Sequence, residues 1–283
     1  MTPRHFLSDN ETWTDEFLQT GMAVVENALD RDFCEQVVTE SLARIGVEED
    51  DPATWRHGWH NLPATKVYQL DEVAPLAADA LFELVGPPEG LKFYGLPDNL
   101  IINFPDPDAE WWPPEAKDAH LTGWHKDGDW FRHFLDSPEQ GMLGIIFWRD
   151  VNENQGATYV LADSIEPIAR ILAAHPEGLD PPLNLINAVR ACRAPRALTG
   201  RQGTIIWAHP YLVHCASVNA TETLRIISNT TVMLREPLCF EHGHRYTPLE
   251  RSILAALNRQ SLAWKLAAPR RRIASRRERS WSS

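Results

Sequence analysis

The residues of this chain best suited to chemistry lie in Gly123-Trp-His-Lys-Asp-Gly-Asp-Trp130. His125 and Asp127 are two positions apart, and on an extended strand such positions share a face, so an imidazole and a carboxylate converge on one point. A third donor is His214, which ends Gly203-Thr-Ile-Ile-Trp-Ala-His-Pro-Tyr-Leu-Val-His214, a strand-turn-strand pattern. Two His and one carboxylate grip a metal from one side and leave three positions open, the donor set of non-haem Fe(II) oxygen chemistry. Asp129 is a rival carboxylate, because i+4 on a strand faces the same way. Gly128 is expected to bend the chain between the two, which favours Asp127.

The open positions need an occupant. Eleven residues after His214, Arg225 begins the apolar run Arg225-Ile-Ile-Ser-Asn-Thr-Thr. A guanidinium there is a buried charge that needs a partner, and it suits the distal carboxylate of a dicarboxylate co-substrate. A 2-oxo acid would chelate iron through its keto and carboxylate oxygens and leave one position for dioxygen. Ser217 offers a hydroxyl three residues after His214, and Asn103 in Leu100-Ile-Ile-Asn-Phe is placed to reach the same molecule. Thr158 and Trp148 would line the interior, while Trp130, Phe131 and His133 would border a substrate. Core packing is the competing account of these last residues. His57 with His60 and His242 with His244 have ligand-like spacings of the kind that arise by chance. Cys215 reads as a small buried residue exposed to oxidation beside a metal.

These groups must be held by short strands. Leu143–Trp148, Ala157–Ala162, Gly203–Trp207, Tyr211–Ser217 and Leu224–Leu234 are rich in bulky residues and separated by Gly, Pro, Asn and Asp turns. Such a series indicates a sandwich or barrel. Helices precede it. Asp30 caps one, with Phe33, Val37, Leu42 and Ile45 on a stripe that stops at Gly46. Asp71 is expected to cap a second, which stops at Gly86. Thr247-Pro-Leu-Glu250 is a capping box opening a third. The segment 164–198 interrupts the strands. Its first half reads as a helix capped by Ser164 and its second half is Pro-rich, as in a lid or binding loop. The acidic loop 48–62 is a further candidate wall.

The ordered set of His-x-Asp, distal His and Arg resembles the phytanoyl-CoA dioxygenase family of Fe(II)/2-oxoglutarate-dependent oxygenases. Phe147 to Ser164 is similar to that family's stretch from a Trp strand through a Gly turn, with Ala-Asp-Ser in place of its Gly-Ser-His-like ending. Gly203 to His214 is similar to the turn before the distal His, though Gln202-Gly203-Thr204 lacks the usual Asp. Asp15 to Leu29 resembles the N-terminal helix and first strand, so the likeness runs roughly from Asp15 to Leu257. It implies a mainly β fold with supporting helices around a double-stranded β-helix, or jelly roll. It further implies a centre of His125, Asp127 and His214 holding Fe(II), with 2-oxoglutarate on Arg225, helped by Ser217, Asn103 and Thr158. The implied reaction consumes O2, yields succinate and CO2, and hydroxylates a C–H bond of a small, for example specialised, metabolite. Asp127 is the residue that related halogenases replace, so the alternatives are halide-free desaturation, cyclisation or epimerisation. A non-catalytic jelly-roll binding protein is the reading from another class.

Composition bounds the rest. The chain has 283 residues, 43% hydrophobic, with a net charge of −12. One domain over 1–268 is expected, carrying the helical insert. Pro269–Ser283 holds six Arg against one Glu, or +5, which leaves −17 elsewhere; it reads as a solvated tail. An acidic surface argues against nucleic acid, which needs basic groups. No apolar run approaches the ~20 residues of a membrane span, and no signal-like core opens the chain. Four Cys without a CxxC pair read as reduced thiols of a cytoplasmic protein. The oligomeric state leaves no mark on the sequence.

Overall fold

A computed structural model describes residues 12–106, 108–110, 123–193 and 195–275. The N-terminal half alternates helix and strand. Helix α1 (Trp13–Thr20) leads into β1 (Met22–Val25), and α2 (Arg31–Ala43) follows. Thr12 and Asp15 form a reciprocal capping box on α1, while the Asp30 carboxylate accepts the N–H groups of Asp32 and Phe33 at the start of α2. Each cap satisfies donors the first turn leaves free.

Two sequence expectations change here. Asp71 caps nothing: it lies inside a single turn, α3 (Leu70–Val73), and Pro75 at the first position starts a separate helix, α4 (Pro75–Val85). Proline cannot continue a helix by donating backward but suits an N-terminus, so the chain restarts there. The loop 48–62 ends in a strand, β2 (Trp59–Asn61), before β3 (Val67–Tyr68).

Strands dominate after α4: β4 (Leu91–Phe93), β5 (Leu96–Pro97), β6 (Ile101–Asn103), β7 (Met142–Phe147) and β8 (Thr158–Leu161). The insert then contributes α5 (Ile165–Ala174), α6 (Ile186–Ala191) and, at its end, β9 (Pro195–Leu198). Ser164 occupies the N-cap position of α5, as the sequence suggested, but its side chain makes no cap hydrogen bond. Its hydroxyl donates to Tyr211 O and accepts Val213 N–H, tying the insert to the strands. The series closes with β10 (Ile205–Ala208), β11 (Val213–Ala216), β12 (Arg225–Leu234) and α7 (Pro248–Ala256), whose Thr247–Glu250 capping box is present.

Among the described residues the large sheet runs β1-β10-β7-β12-β6-β2, with β4 also on β12, and a small sheet runs β11-β8-β9. All these pairs are antiparallel. The chain passes between the sheets from β7 to β8, from β9 to β10, and again around β11. The fold is therefore mainly β with supporting helices, and its core is a jelly roll.

Side-chain alternation assigns the faces. Trp207 donates from Nε1 to Ala77 O of α4, so its side of the large sheet meets the helices. Trp148 shares that side: it donates to Ser228 Oγ and packs near Phe33 of α2. It thus supports the sheet from behind and does not line the interior. Both indoles are fully buried, and losing either would cost about 3–5 kcal/mol. The opposite face, with Ile101, Asn103, Phe147, Arg225 and Ile227 in register, looks toward the small sheet. Asn103 Nδ2 spans the gap to donate to Ser217 O, just after β11.

As far as it is described, the Arg-rich end lies against the segment 130–136, with Arg271 and Arg272 still exposed. Arg132 N–H donates to Arg271 O and Ile273 N–H to Trp130 O. Arg270 pairs with Asp136 at 2.7 Å, and Arg271 with Asp180. Residues 276–283 lie outside the described residues.

Candidate metal centre and anion site

His214 sits on β11, and His125 forms an isolated antiparallel bridge with it through two 2.9 Å backbone hydrogen bonds. That bridge brings together residues that stand 89 positions apart in the sequence. Asp127, two residues on, turns its carboxylate back: Oδ1 is 3.5 Å from His125 Nε2 and 3.6 Å from His214 Nε2. One donor atom from each residue lies within 4.8 Å of the others, spacing suited to a shared ion.

The tautomers also fit a metal. His125 Nδ1 lies 2.8 Å from Gly123 O and His214 Nδ1 3.3 Å from Leu212 O. A carbonyl only accepts, so Nδ1 carries the proton on both rings and Nε2 keeps its lone pair for an ion. Burial works to raise the Asp127 carboxyl's pKa. In their protonated form the imidazoles of His214 and His125 outweigh it, by charge and hydrogen bond, and hold the group well below the usual carboxylate range; a cation between neutral rings would act in the same direction.

Gly128 shapes the turn. Its φ is +109°, and a Cβ there would sit 2.6 Å from the Phe131 ring and 2.7 Å from His133. The bend separates Asp127 from Asp129, as the sequence implied.

Lys126, which sequence reasoning passed over, lies between two of the donors. On a strand its side chain leaves by the opposite face. Nζ is within 3.1–3.2 Å of Asp127 O, Gln140 Oε1 and His133 Nδ1. His133 in turn donates from Nε2 to Gly128 O at 2.7 Å, so its Nδ1 is the acceptor. Three acceptors take all three ammonium hydrogens. Burial lowers the pKa of Lys126 to about 7; burial and then the Lys126 charge pull that of His133 down to about 2. The pair pins the carbonyls of Asp127 and Gly128, so His133 holds the turn as well as facing the cavity.

Arg225 is the second feature. It pairs in register with Asn103 and is 2% exposed. Its nearest hydrogen bond is a long one, 3.5 Å from Nη1 to Ile101 O, and Nε is buried without a partner. Burial pulls its pKa down to about 10, which leaves it charged at neutral pH. A guanidinium in this position, with no carboxylate beside it among the described residues, is expensive.

The other expected residues divide. Asn103 and Ser217 are spent as ties: Asn103 Nδ2 donates to Ser217 O, and the Ser217 hydroxyl donates to Ala157 O at 2.8 Å. Gly156 (φ +75°) lets the chain pass against the Asn103 amide. Thr158 lies opposite Ala216 and shares the face of Val160, the register partner of His214. Cys215 points to the other face, fully buried, and burial pushes its thiol up to about 12, so it is shielded from the centre. Trp130 and His133 line a cavity of about 420 Å³ beside the triad, whereas the Phe131 ring is packed behind it on His133. The far wall of that cavity is residues 181–185 of the insert. The loop 48–62 does not reach it. Glu49 instead pairs with Arg149 at 2.6 Å in a separate polar cleft. Neither His57 with His60 nor His242 with His244 forms a metal-spaced cluster among the described residues.

No family model matches the chain, and no curated protein matches it. Solved structures with a similar outline include the non-heme alpha ketoglutarate dependent carbocyclase SnoK from nogalamycin biosynthesis, at 14% identity over 86% of this chain and 87% of that one, TM-score 0.47. The non-heme monooxygenase ThoJ in its nickel complex is 16% identical over 95% and 92%, TM-score 0.48. HygX from Streptomyces hygroscopicus, with nickel and 2-oxoglutarate bound, is 14% identical over 77% and 85%, TM-score 0.41. At this distance the likeness is one of outline, and the chemistry rests on the chain's own residues.

Proposed function

We propose that the protein is a non-haem Fe(II)/2-oxoglutarate-dependent oxygenase that hydroxylates a C–H bond of a small organic molecule. One joint observation carries the reading: a His-Asp-His cluster with both Nε2 lone pairs turned inward, in a fold that also buries a guanidinium with no counter-ion among the described residues. A facial metal explains the first, and the distal carboxylate of a dicarboxylate explains the second. When bound, the ferrous centre supplies the oxidation: 2-oxoglutarate, O2 and R–H become succinate, CO2 and R–OH, one oxygen atom entering each organic product.

The chain's own residues bind, orient and exclude. His125, Asp127 and His214 hold the ion from one side and leave the other open. Arg225 supplies the bidentate grip that sets the direction of the co-substrate. Lys126 and His133 fix the Asp127 turn, and the 181–185 segment screens the cavity from water. Asn103, Ser217 and Thr158 set the distance between the sheets on either side of the co-substrate.

The test is anaerobic Fe(II) with 2-oxoglutarate, which should give a weak visible charge-transfer band, and succinate should form on admitting air. Asp127→Ala should abolish both while Asp129→Ala keeps the band. No band and no succinate from the unaltered protein would sink the proposal.

A further inference from the structure

The geometry points to a positioning role for Arg270 and Arg271: with the chain around them they form a strap that joins the triad segment to the insert and sets how the two face each other. The part this plays in the reaction rests on the metal-centre reading above.

The backbone comes first. In an extended stretch, alternate residues turn their N–H and C=O groups to opposite edges. His133 commits both of its groups to Leu179 of the insert, at 2.8 and 2.9 Å. Trp130 O and Arg132 N–H face the other edge, and the C-terminal segment fills it. Ile273 N–H donates to Trp130 O at 2.7 Å and Arg132 N–H to Arg271 O at 3.1 Å, on either side of the Phe131–Arg272 bridge. A further bond, from Ala267 N–H to Pro176 O at 2.7 Å, carries the same segment onto the insert. Residues 130–133 are thus the middle of three segments, and the outer two are also tied to each other.

Side chains fix the register. Arg270 pairs with Asp136 at 2.7 Å and stands 5.2 Å from the centre of the Phe134 ring. The two partners are only 22% and 10% exposed, so salt and water screen the pair little. Arg271 meets Asp180, which Arg132 also grips through Nε at 2.8 Å. This second pair is more exposed and weak by itself. Its weight comes from its place, because Asp180 precedes Pro181, where the insert's wall of the cavity begins.

The consequence falls on the site. Trp130 and His133 stand on one wall of the cavity and residues 181–185 on the other. His133 Nε2 also holds Gly128 O at 2.7 Å. Whatever fixes residues 130–133 therefore fixes the turn that aims Asp127, and Arg270 and Arg271 act on the centre through that turn without touching it.

The test is hydrogen exchange on the full-length protein, comparing the parent with the double variants Arg270→Gln/Arg271→Gln and Arg270→Lys/Arg271→Lys. The amides of His133 and Leu179 are bonded to each other and not to the strap. In the glutamine variant they should exchange about tenfold faster or more, while β7 and β12 keep the parent's rates. The lysine variant keeps the charges and should recover part of the loss. Unchanged exchange at His133 and Leu179 would show a passive tail and overturn the inference; equal acceleration in β7 and β12 would show plain loss of stability and overturn it too. The effect on the centre is read with Mn(II) as a stand-in for Fe(II), in the presence of 2-oxoglutarate. Water-proton relaxation by the bound manganese should be higher in the glutamine variant, with 2-oxoglutarate affinity unchanged, because no bond of the strap described above reaches Arg225. Equal relaxation in parent and variant, both loaded, overturns the positioning role. If the parent binds neither manganese nor 2-oxoglutarate, the metal-centre reading falls and takes that role with it, whatever the exchange shows.

Discussion

Arg225 is the residue whose energetics and proposed role pull in opposite directions. A buried guanidinium without a carboxylate costs stability, and Nε has no partner among the described residues. Arg225→Met removes that cost and keeps most of the volume. The variant without ligand should therefore melt higher than the parent, while 2-oxoglutarate affinity drops by about 100-fold or more, as when one partner of a buried charge pair is truncated. Thermal melts and calorimetry read both signs, and a lower melting point in the ligand-free variant would show that Arg225 is structural. His125 and Asp127 were legible as candidate ligands because a period of two puts them on one face. Lys126 was not, because its three acceptors come from residues up to fourteen positions away in a turn the sequence does not draw.

At the scale of elements, the strands were mostly placed by their bulky runs, and β12 begins at Arg225 as the apolar pattern required. Short pieces were harder. The β3–β5 pair shows why: the end where the chain enters β3 and leaves β5 is organised by one side chain. Asp98 accepts the N–H groups of Thr65 and Lys66 at 2.6 and 2.9 Å and the Thr65 hydroxyl at 2.7 Å, with Arg44 at 3.5 Å. Burial works to raise its pKa, but the hydrogen bonds and Arg44 together lower it. A folded-state pKa below the unfolded value means stability is present above about pH 3.9 and lost as pH falls through the folded value. The melting temperature should fall steeply below about pH 4. Asp98→Asn should be less stable at neutral pH by about 1–3 kcal/mol and show a shallower acid limb. An unchanged limb would exclude Asp98 as a source of the acid loss.

Across the whole molecule, the cysteines report on how closely the sheets and helices pack. Cys34, Cys192 and Cys215 are buried free thiols, and burial raises each to about 12. Thiolate is the reactive form, so at pH 8 only the more accessible Cys239 should react with a thiol reagent, and all four should react in denaturant. A colorimetric count of two or more fast thiols in the native protein would contradict this packing. Among the described residues no helix is long and apolar enough to cross a membrane.

The sequence by itself settled what depends on local spacing. The caps at Asp30 and Thr247, the strand runs, the His-x-Asp pair and the kind of chemistry those donors suit all follow from neighbours a few residues apart. The tertiary structure decided what depends on which face is inside and what stands opposite. A period of two says that Trp148 and Arg225 belong to faces but not which face meets the helices; Trp207 on α4 fixes that. Likewise the charge of the Arg-rich end gave no hint that Asp136 and Asp180 would hold it against the cavity's walls. Ion pairs and backbone bridges between distant segments form only when the jelly roll has already brought those segments together.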